Sequence, residues 1–460
     1  MKQTKKLYLG FILLLCLTTP YYALAAVSAE EAAQLKTTLT PQGGERAGNA
    51  DGSIPAWDGG ISAPPEGLGY EGPGTRQPDP FAGEKKLFTI TSKNMAEYSD
   101  MLSEGQKTLL TTYPDSYRID VFPTHRTQAA PQWVYDNTFE NATRAALSDD
   151  GNNISGAYGG TPFPIPKTGA EVVWNHLLRW NGQAKHYKFN SMLIGKDGVI
   201  TRSAGVENWE KYPYYLKDGS FETYTNPDYW YAFLLYFSPP RRNGEMLLVR
   251  DPLNLSESPR KGWQYLVGQR RVRRAPTIAF DSPLTSLGGL MTWDEVYLFN
   301  GSLERYDWKL VGKKEMIIPY NCYAANVHAK AEELLLANHV SPDSIRWERH
   351  RVWVVEGNLK EGKRHVYAKR VLYIDEDSWT CMMSDMYDAR GSLWRHSMTP
   401  LMNAYELPGV VQLFSLHYDF QRGQYCSNAN QMEYPEYTTY TDPLPDEYFS
   451  PEQIRRMGKR

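Results

Sequence analysis

Ser191-Met192-Leu193-Ile194-Gly195-Lys196-Asp197-Gly198-Val199-Ile200-Thr201-Arg202 reads as two strands joined by a tight turn. Asp-Gly supplies the positive backbone angles that a two-residue hairpin turn requires, and the runs on either side are rich in strand-forming residues. The same pattern recurs downstream. Asp218-Gly219 separates 212–216 from 221–224, and Asn243-Gly244, with extra loop residues, lies between 229–237 and 245–250. Further strands are expected at 262–267, 270–274, 347–356, 365–374, 380–387, 393–398 and 410–419. Many short strands joined by turn chemistry predict an antiparallel meander, and so a sandwich or a barrel. Neither face of these strands is purely apolar. In 347–356, Trp347, Arg349, Arg351, Trp353 and Val355 share one face, while Glu348, His350, Val352, Val354 and Glu356 share the other. In 365–374 the apolar row Val366, Ala368, Leu372, Ile374 is broken by Arg370. A sheet with substance on both faces suits one that curls around something and also packs on its outside.

Helices flank this strand-rich stretch. Ser28 and Glu31 form a capping box, which opens a short helix to about Leu35. From 38 to 84 the chain is crowded with Gly and Pro, which bars both a helix and a central strand. That segment is either a linker or an extended strap over the folded body, and Trp57 and Tyr70 favour the strap. Asn94 caps a second helix with Met95, Tyr98, Leu102 and Leu109 on its apolar face. A third is expected over 169–180, with Val173, Leu177 and Trp180 on one side, and a fourth over 327–338. Ser450-Pro451 starts a short capped helix with its basic residues late, as the helix dipole prefers.

The N-terminus reads as an export signal. Lys2, Lys5 and Lys6 precede the apolar run 7–17, and Ala23-Leu24-Ala25 is a small-x-small cleavage site. The apolar run is too short to cross a bilayer of about 30 Å as a helix. Removal of 25 of the 460 residues leaves 460 − 25 = 435, enough to bury a large core. With 50 basic and 53 acidic residues the chain has a net charge of −3, which gives no global signal for nucleic acid. Tyr and Trp number 32 and 13, and side chains of this kind supply broad contact area with a polar tip, as a ligand surface or a sheet core would use. Beyond the signal, Cys322, Cys381 and Cys426 are an odd set. One disulfide at most forms from them, leaving one thiol over, and no zinc-ligand spacing is present.

Few motifs carry chemistry. Gly67-Leu68-Gly69-Tyr70-Glu71-Gly72 matches GxGxxG, but Pro-Pro precedes it and Pro73 follows it, so the strand–turn–helix of a dinucleotide site is missing. The nine histidines show neither HExxH nor HxH, and GxSxG and a P-loop are absent. No metal, cofactor or catalytic residue is therefore assigned, and the expectation is a non-enzyme. A hydrolase would need Asp, His and Ser or Cys to converge from distant positions. The conspicuous local feature is Arg270-Arg271-Val272-Arg273-Arg274, directly after the aromatic strand Trp263-Gln264-Tyr265-Leu266. On a strand Arg271 and Arg273 share one face. That face either holds a phosphate or carboxylate head group, docks an acidic partner, or pairs with acidic neighbours as solvated surface.

These same residues, with Gly268-Gln269 before and Ala275-Pro276 after, resemble the signature of a proteobacterial periplasmic family catalogued as domain of unknown function 1329. Four further stretches fit it: 29–57 with Ile54-Pro55-Ala56-Trp57, 299–309, 363–370 and Tyr387-Asp388-Ala389-Arg390-Gly391. The family resembles the LolA/LolB superfamily of outer-membrane lipoprotein-sorting proteins. The resemblance implies a mainly β chain with flanking helices, its large antiparallel sheet curled into an unclosed barrel around helices. It implies an apolar cavity, lipid or another hydrophobic molecule as cargo, and an RND-type membrane transporter as partner, with only peripheral or transient membrane contact. The resulting layout is a signal peptide over 1–25, an extended segment over 26–90, a half-barrel over 91–449 and a capped helix over 450–460. Trp263 and Tyr265 are then expected in the cavity wall, with Arg271 and Arg273 at its rim. The other function considered is an accessory subunit of an envelope complex with no ligand of its own.

Overall fold

The computed structural model describes residues 27–275, 278, 280–327 and 330–458. The expected signal peptide lies outside the described residues. The helices are α1 (Ala29–Ala33), α2 (Glu104–Thr112), α3 (Gln132–Arg144), α4 (Gly169–Leu177), α5 (Ala331–Leu334) and α6 (Pro451–Met457). The strands of the first half are β1 (Phe88–Ile90), β2 (Ile119–Val121), β3 (Ala146–Leu147), β4 (Ile154–Ser155), β5 (Ala184–Ile194), β6 (Ile200–Lys211), β7 (Asp228–Ser238), β8 (Met246–Pro252), β9 (Lys261–Leu266) and β10 (Arg271–Arg274). Those of the second half are β11 (Tyr306–Pro319), β12 (Trp347–Leu359), β13 (Lys369–Asp375), β14 (Cys381–Tyr387), β15 (Leu393–Met398), β16 (Leu401–Ala404), β17 (Gly409–Gln412), β18 (Ser415–Asp419), β19 (Gln424–Asn430) and β20 (Thr439–Tyr440).

One sheet dominates. Its antiparallel path runs β11-β12-β13-β14-β15-β18-β19-β5-β6-β7-β8-β9-β10. The β1–β2 ribbon joins it through one parallel bridge, Val121 to Trp347, and β20 pairs with the start of β5. The edge strands β10 and β11 do not pair with each other, so the sheet is not closed into a barrel among the described residues. The mainly β architecture with an unclosed, curled sheet is thus as expected. Both faces are packed. On the outer face α2 lies across β14 and β15, where its Leu109 and Leu110 join Val354, Tyr373 and Met383. The approach is close enough that a Cβ on Gly105 would lie 2.0 Å from Nδ1 of His396, so only glycine fits. On the concave face α4 lies across β11 and β12, and its Val172, Val173 and Leu177 meet Val355, Leu372 and Ile374.

Several expectations are corrected. Residues 212–216 and 221–224 form no strand. Tyr214 and Tyr215 are buried as a loop instead, with the Tyr215 hydroxyl donating to the carbonyl of Leu178 at 2.6 Å. The strand expected from 365 starts only at Lys369, because His365 turns inward to Asp294 at 3.1 Å. The run 410–419 is split: β17 pairs with β16 in a separate two-stranded arm, and only β18 joins the main sheet. The helix expected over 327–338 shrinks to the one turn of α5, since Leu334 and Leu335 are buried while the next residues, Leu336 to Asn338, face solvent. The second helix breaks into a 3₁₀ segment, Met95–Met101, and α2, which has its own capping box from Ser103 and Gln106. The Gly/Pro-rich segment is a strap. The Trp57 indole donates to the Gln128 carbonyl at 2.9 Å, Trp379 donates to Gln42 at 2.7 Å, and the Tyr70 hydroxyl donates to Glu406 at 3.1 Å.

Candidate functional site

Strand period decides what the concave face offers over β5 to β8. Tyr187, Phe189 and Ser191 on β5, Ala204, Val206, Asn208 and Glu210 on β6, Trp230, Ala232, Leu234 and Tyr236 on β7, and Val249 on β8 all point the same way. They form one wall of a cavity of about 120 Å³, roughly ten times the 10–15 Å³ that one water needs. The opposite wall comes from Leu284, Trp293, Val296 and Tyr297 of the 284–297 segment and from Val411 to Phe414, at the end of β17 and just after it.

The Glu210 end is polar, and its carboxylate is paired, while the Asn208 side-chain oxygen there has no hydrogen-bond partner. Glu210, 2% exposed, lies 3.6 Å from Nζ of Lys185. It accepts hydrogen bonds from the hydroxyls of Tyr187 (2.7 Å), Tyr212 (2.6 Å) and Tyr297 (2.7 Å), the Trp230 indole (2.8 Å) and the Asn208 amide (2.9 Å). Burial pushes the Glu210 pKa up, but Lys185 and the phenols outweigh burial and hold it below the ordinary carboxylate range. Burial lowers the Lys185 pKa, an effect Glu210 opposes. Leu234, Leu284, Ser286, Asn428 and Ala429 also line the cavity and are only half-buried, and we read the mouth as lying there.

The roof segment is fastened by charge. Asp294 pairs with Arg370 and His365, each at 3.1 Å. Glu295 lies 3.5 Å from His417 and accepts from the Tyr367 hydroxyl at 2.8 Å. Burial raises both carboxyl pKa values, but Arg370 and His365 for Asp294, and His417 and Arg395 for Glu295, outweigh it. Asp294 is held far below the ordinary range and Glu295 at about 2. Tyr297, next to these anchors, holds φ 58°, a strained left-handed conformation for a bulky residue, and this aims its hydroxyl at Glu210. His417 also links two serines, with Ser415 Oγ 2.9 Å from Nε2 and Ser397 Oγ 2.8 Å from Nδ1. Ser415 lines the cavity.

The four residues singled out from the sequence divide by face. Trp263 and Tyr265 point away from the cavity and pack under α6 with Phe449 and Ile454, which corrects their expected place in the wall. Arg271 and Arg273 are exposed on the edge strand β10, on the cavity's side of the sheet, and do not line the cavity. The wall residues that matter went unseen because only the first four residues of the β6 region read as strand, while the alternation Ala204, Val206, Asn208, Glu210 was there to be read. Cys322, Cys381 and Cys426 are all free and buried, and burial raises each thiol's pKa. His350, Asp375 and Asp377 converge within 4.8 Å, but both Asp377 oxygens already accept from Arg126, at 2.6 and 2.8 Å. That arrangement suits a structural ion pair better than a cation site.

Residues 89–455 match the model of the family described as protein of unknown function, DUF1329. The chain belongs to this family. A relative, the uncharacterized protein PA3922 of Pseudomonas aeruginosa, is 39% identical over 471 residues, covering all of both chains. Among solved structures, a DUF1329 family protein from Desulfovibrio piger is 17% identical with a TM-score of 0.40, covering 60% of this chain and 92% of that one. A LolA superfamily protein from Nitrosomonas europaea is 11% identical with a TM-score of 0.36, covering 62% of this chain and 98% of that one. No helix among the described residues is long and apolar enough to cross a membrane.

Proposed function

We propose that the protein is a periplasmic carrier that holds a hydrophobic molecule, a lipid or lipid-like chain, in the concave-face cavity. One observation carries the reading. The sheet leaves an apolar-walled space beside Phe189, Val206, Ala232 and Leu234, with Glu210 deeply buried in its lining and Leu234, Leu284 and Ala429 half-buried. An apolar chain crossing water gains about 0.8 kcal/mol for each methylene it hides, and a cavity with one mouth allows entry and release. The Glu210 end presents no unpaired charge, which fits a neutral tail there. The N-terminal sequence supports work outside the cytoplasm, and the family resemblance supports hand-off to or from an RND-type transporter. The accessory-subunit alternative gives no purpose to an open interior space.

A second reading, ester hydrolysis, is favoured only by the Ser415–His417–Glu295 relay. Against it, His417 Nδ1 lies 2.8 Å from Ser397 Oγ but 3.5 Å from Glu295, so the ring is bonded to Ser397 rather than to a carboxylate and the relay reads as the fastening of the roof. The test is native mass spectrometry on the exported chain purified without detergent, together with uptake of a fluorescent fatty-acid probe. Co-purifying lipid or saturable uptake is expected. A bare mass together with no uptake would overturn the carrier reading and favour the accessory subunit.

A further inference from the structure

The β9–β10 hairpin ends the sheet beside the cavity, and the cavity makes no use of its arginines. Cross-strand register places them. Asn208, Leu234, Leu247, Gln264 and Arg273 are successive partners across β6 to β10. Antiparallel partners share a face, so Arg273, and Arg271 two residues away, stand on the concave face in line with Leu234 at the mouth. At about 4.8 Å per strand, Arg273 is about 14 Å from Leu234. Arg270, Arg271 and Arg273 are exposed and have no ion-pair partner among the described residues.

The neighbouring turn extends the patch. A Cβ on Gly244 would lie 3.3 Å from a Val267 methyl, so the 239–244 turn abuts the hairpin tip and brings exposed Arg241 beside it. The acid in that turn, Glu245, is taken by Arg242 at 2.9 Å. Val267 at the tip is 41% exposed. A single charge suffices to stop an edge strand from pairing with another chain. Here unpaired cations line a whole edge around an exposed apolar tip, in a chain of net charge −3. Spread along an edge rather than converging on one point, they match a plane of negative charge better than one small anion.

We propose that this edge docks on an anionic phospholipid surface. Arg241, Arg270, Arg271 and Arg273 meet the lipid phosphates, Val267 enters the head-group layer, and the cavity mouth comes to lie beside the bilayer. The purpose of such docking, cargo exchange, rests on the carrier reading, whereas its test does not. The test is flotation of the full exported chain with phosphatidylcholine vesicles, with and without phosphatidylglycerol. Binding is expected only with phosphatidylglycerol, and it should weaken as salt shortens the screening length below about 8 Å. Each basic residue at such a surface is worth roughly fivefold in partitioning, so Arg271→Glu with Arg273→Glu should cut binding at least about 25-fold. Circular dichroism and fatty-acid probe uptake should stay unchanged, which separates this result from a failure of the carrier reading. Should the double variant misfold, Arg241→Gln gives the same test at about fivefold. Equal binding to neutral and anionic vesicles, wild-type binding by the variants, or binding to an acidic protein without any to vesicles would each overturn the proposal.

Discussion

Over β13 to β18 the concave face carries Arg370, Arg395, His417 and Asp419, and the roof segment seals it by inserting Asp294 and Glu295. Over β5 to β8 the same face of the same sheet carries Phe189, Ala204, Val206, Ala232 and Leu234 and borders a cavity. Buried ion pairs add little net stability over apolar packing, but a pair that loses one member costs a great deal. The charged half therefore fixes where the roof sits, and the apolar half is free to remain open. The roof belongs to both. Residues 294 and 295 are anchored in the filled half, while 296 and 297, directly after them, line the open half. The shape of the cavity is thus set from outside the cavity.

The largest expected effect breaks the filled half. Arg370→Met leaves Asp294 with a buried charge that only His365 and the Thr292 hydroxyl remain to meet, and should cost about 3–5 kcal/mol in urea unfolding. Because the roof is then loose, probe uptake should fall as well. A variant as stable as the parent would remove the anchoring role. Acid attacks the same anchors. Their folded pKa values are depressed, Glu295 to about 2, so their contribution is present above the unfolded value near 4.3 and is lost as pH falls toward 2. Tryptophan fluorescence should report unfolding in that window, and unchanged stability at about pH 3 would contradict the charge assignment.

The open half is broken more gently. Glu210→Gln keeps an acceptor for the phenols but leaves Lys185 without its counter-charge, and should cost about 2 kcal/mol by the same measurement. Leu234→Trp sharpens the comparison instead of breaking it. An indole at the half-buried mouth should weaken probe binding about tenfold, or about 1.4 kcal/mol, while stability moves by less than about 1 kcal/mol. The same enlargement in the filled half would have no space to enter. A Leu234→Trp chain that binds the probe as the parent does would place the entrance elsewhere.

Much of this contrast was legible in the chain and much was not. Asp-Gly and Asn-Gly turns marked the β5–β6 and β7–β8 connections, because turn chemistry is local. Arg370 showed as a break in an apolar row, but its partner Asp294 lies 76 positions away by numbering, beyond the reach of any periodicity. The longest strand, β11, stayed hidden since Lys309, Lys313, Lys314 and Glu315 give it a polar edge character and a bulge at Val311 shifts its alternation. Aromatic residues misled in one place. Trp263 and Tyr265 looked like cavity wall, yet which face of β9 turns inward depends on α6, a helix nearly two hundred positions later.

The smallest effect discriminates most between functions. Ser415 belongs to the open half by position, lining the cavity, and to the filled half by bonding, through His417 to Glu295. If the relay only fastens the roof, Ser415→Ala strips one partner from a buried imidazole and costs about 1 kcal/mol. Parent and variant should then be equally inert toward p-nitrophenyl acyl esters, and probe uptake should persist in both. If the parent hydrolyses the ester and Ser415→Ala does not, the cavity is a reaction chamber rather than a hold. The roof would then be positioning a base, and the two halves of the concave face would divide as chemistry and substrate instead of as clamp and cargo space.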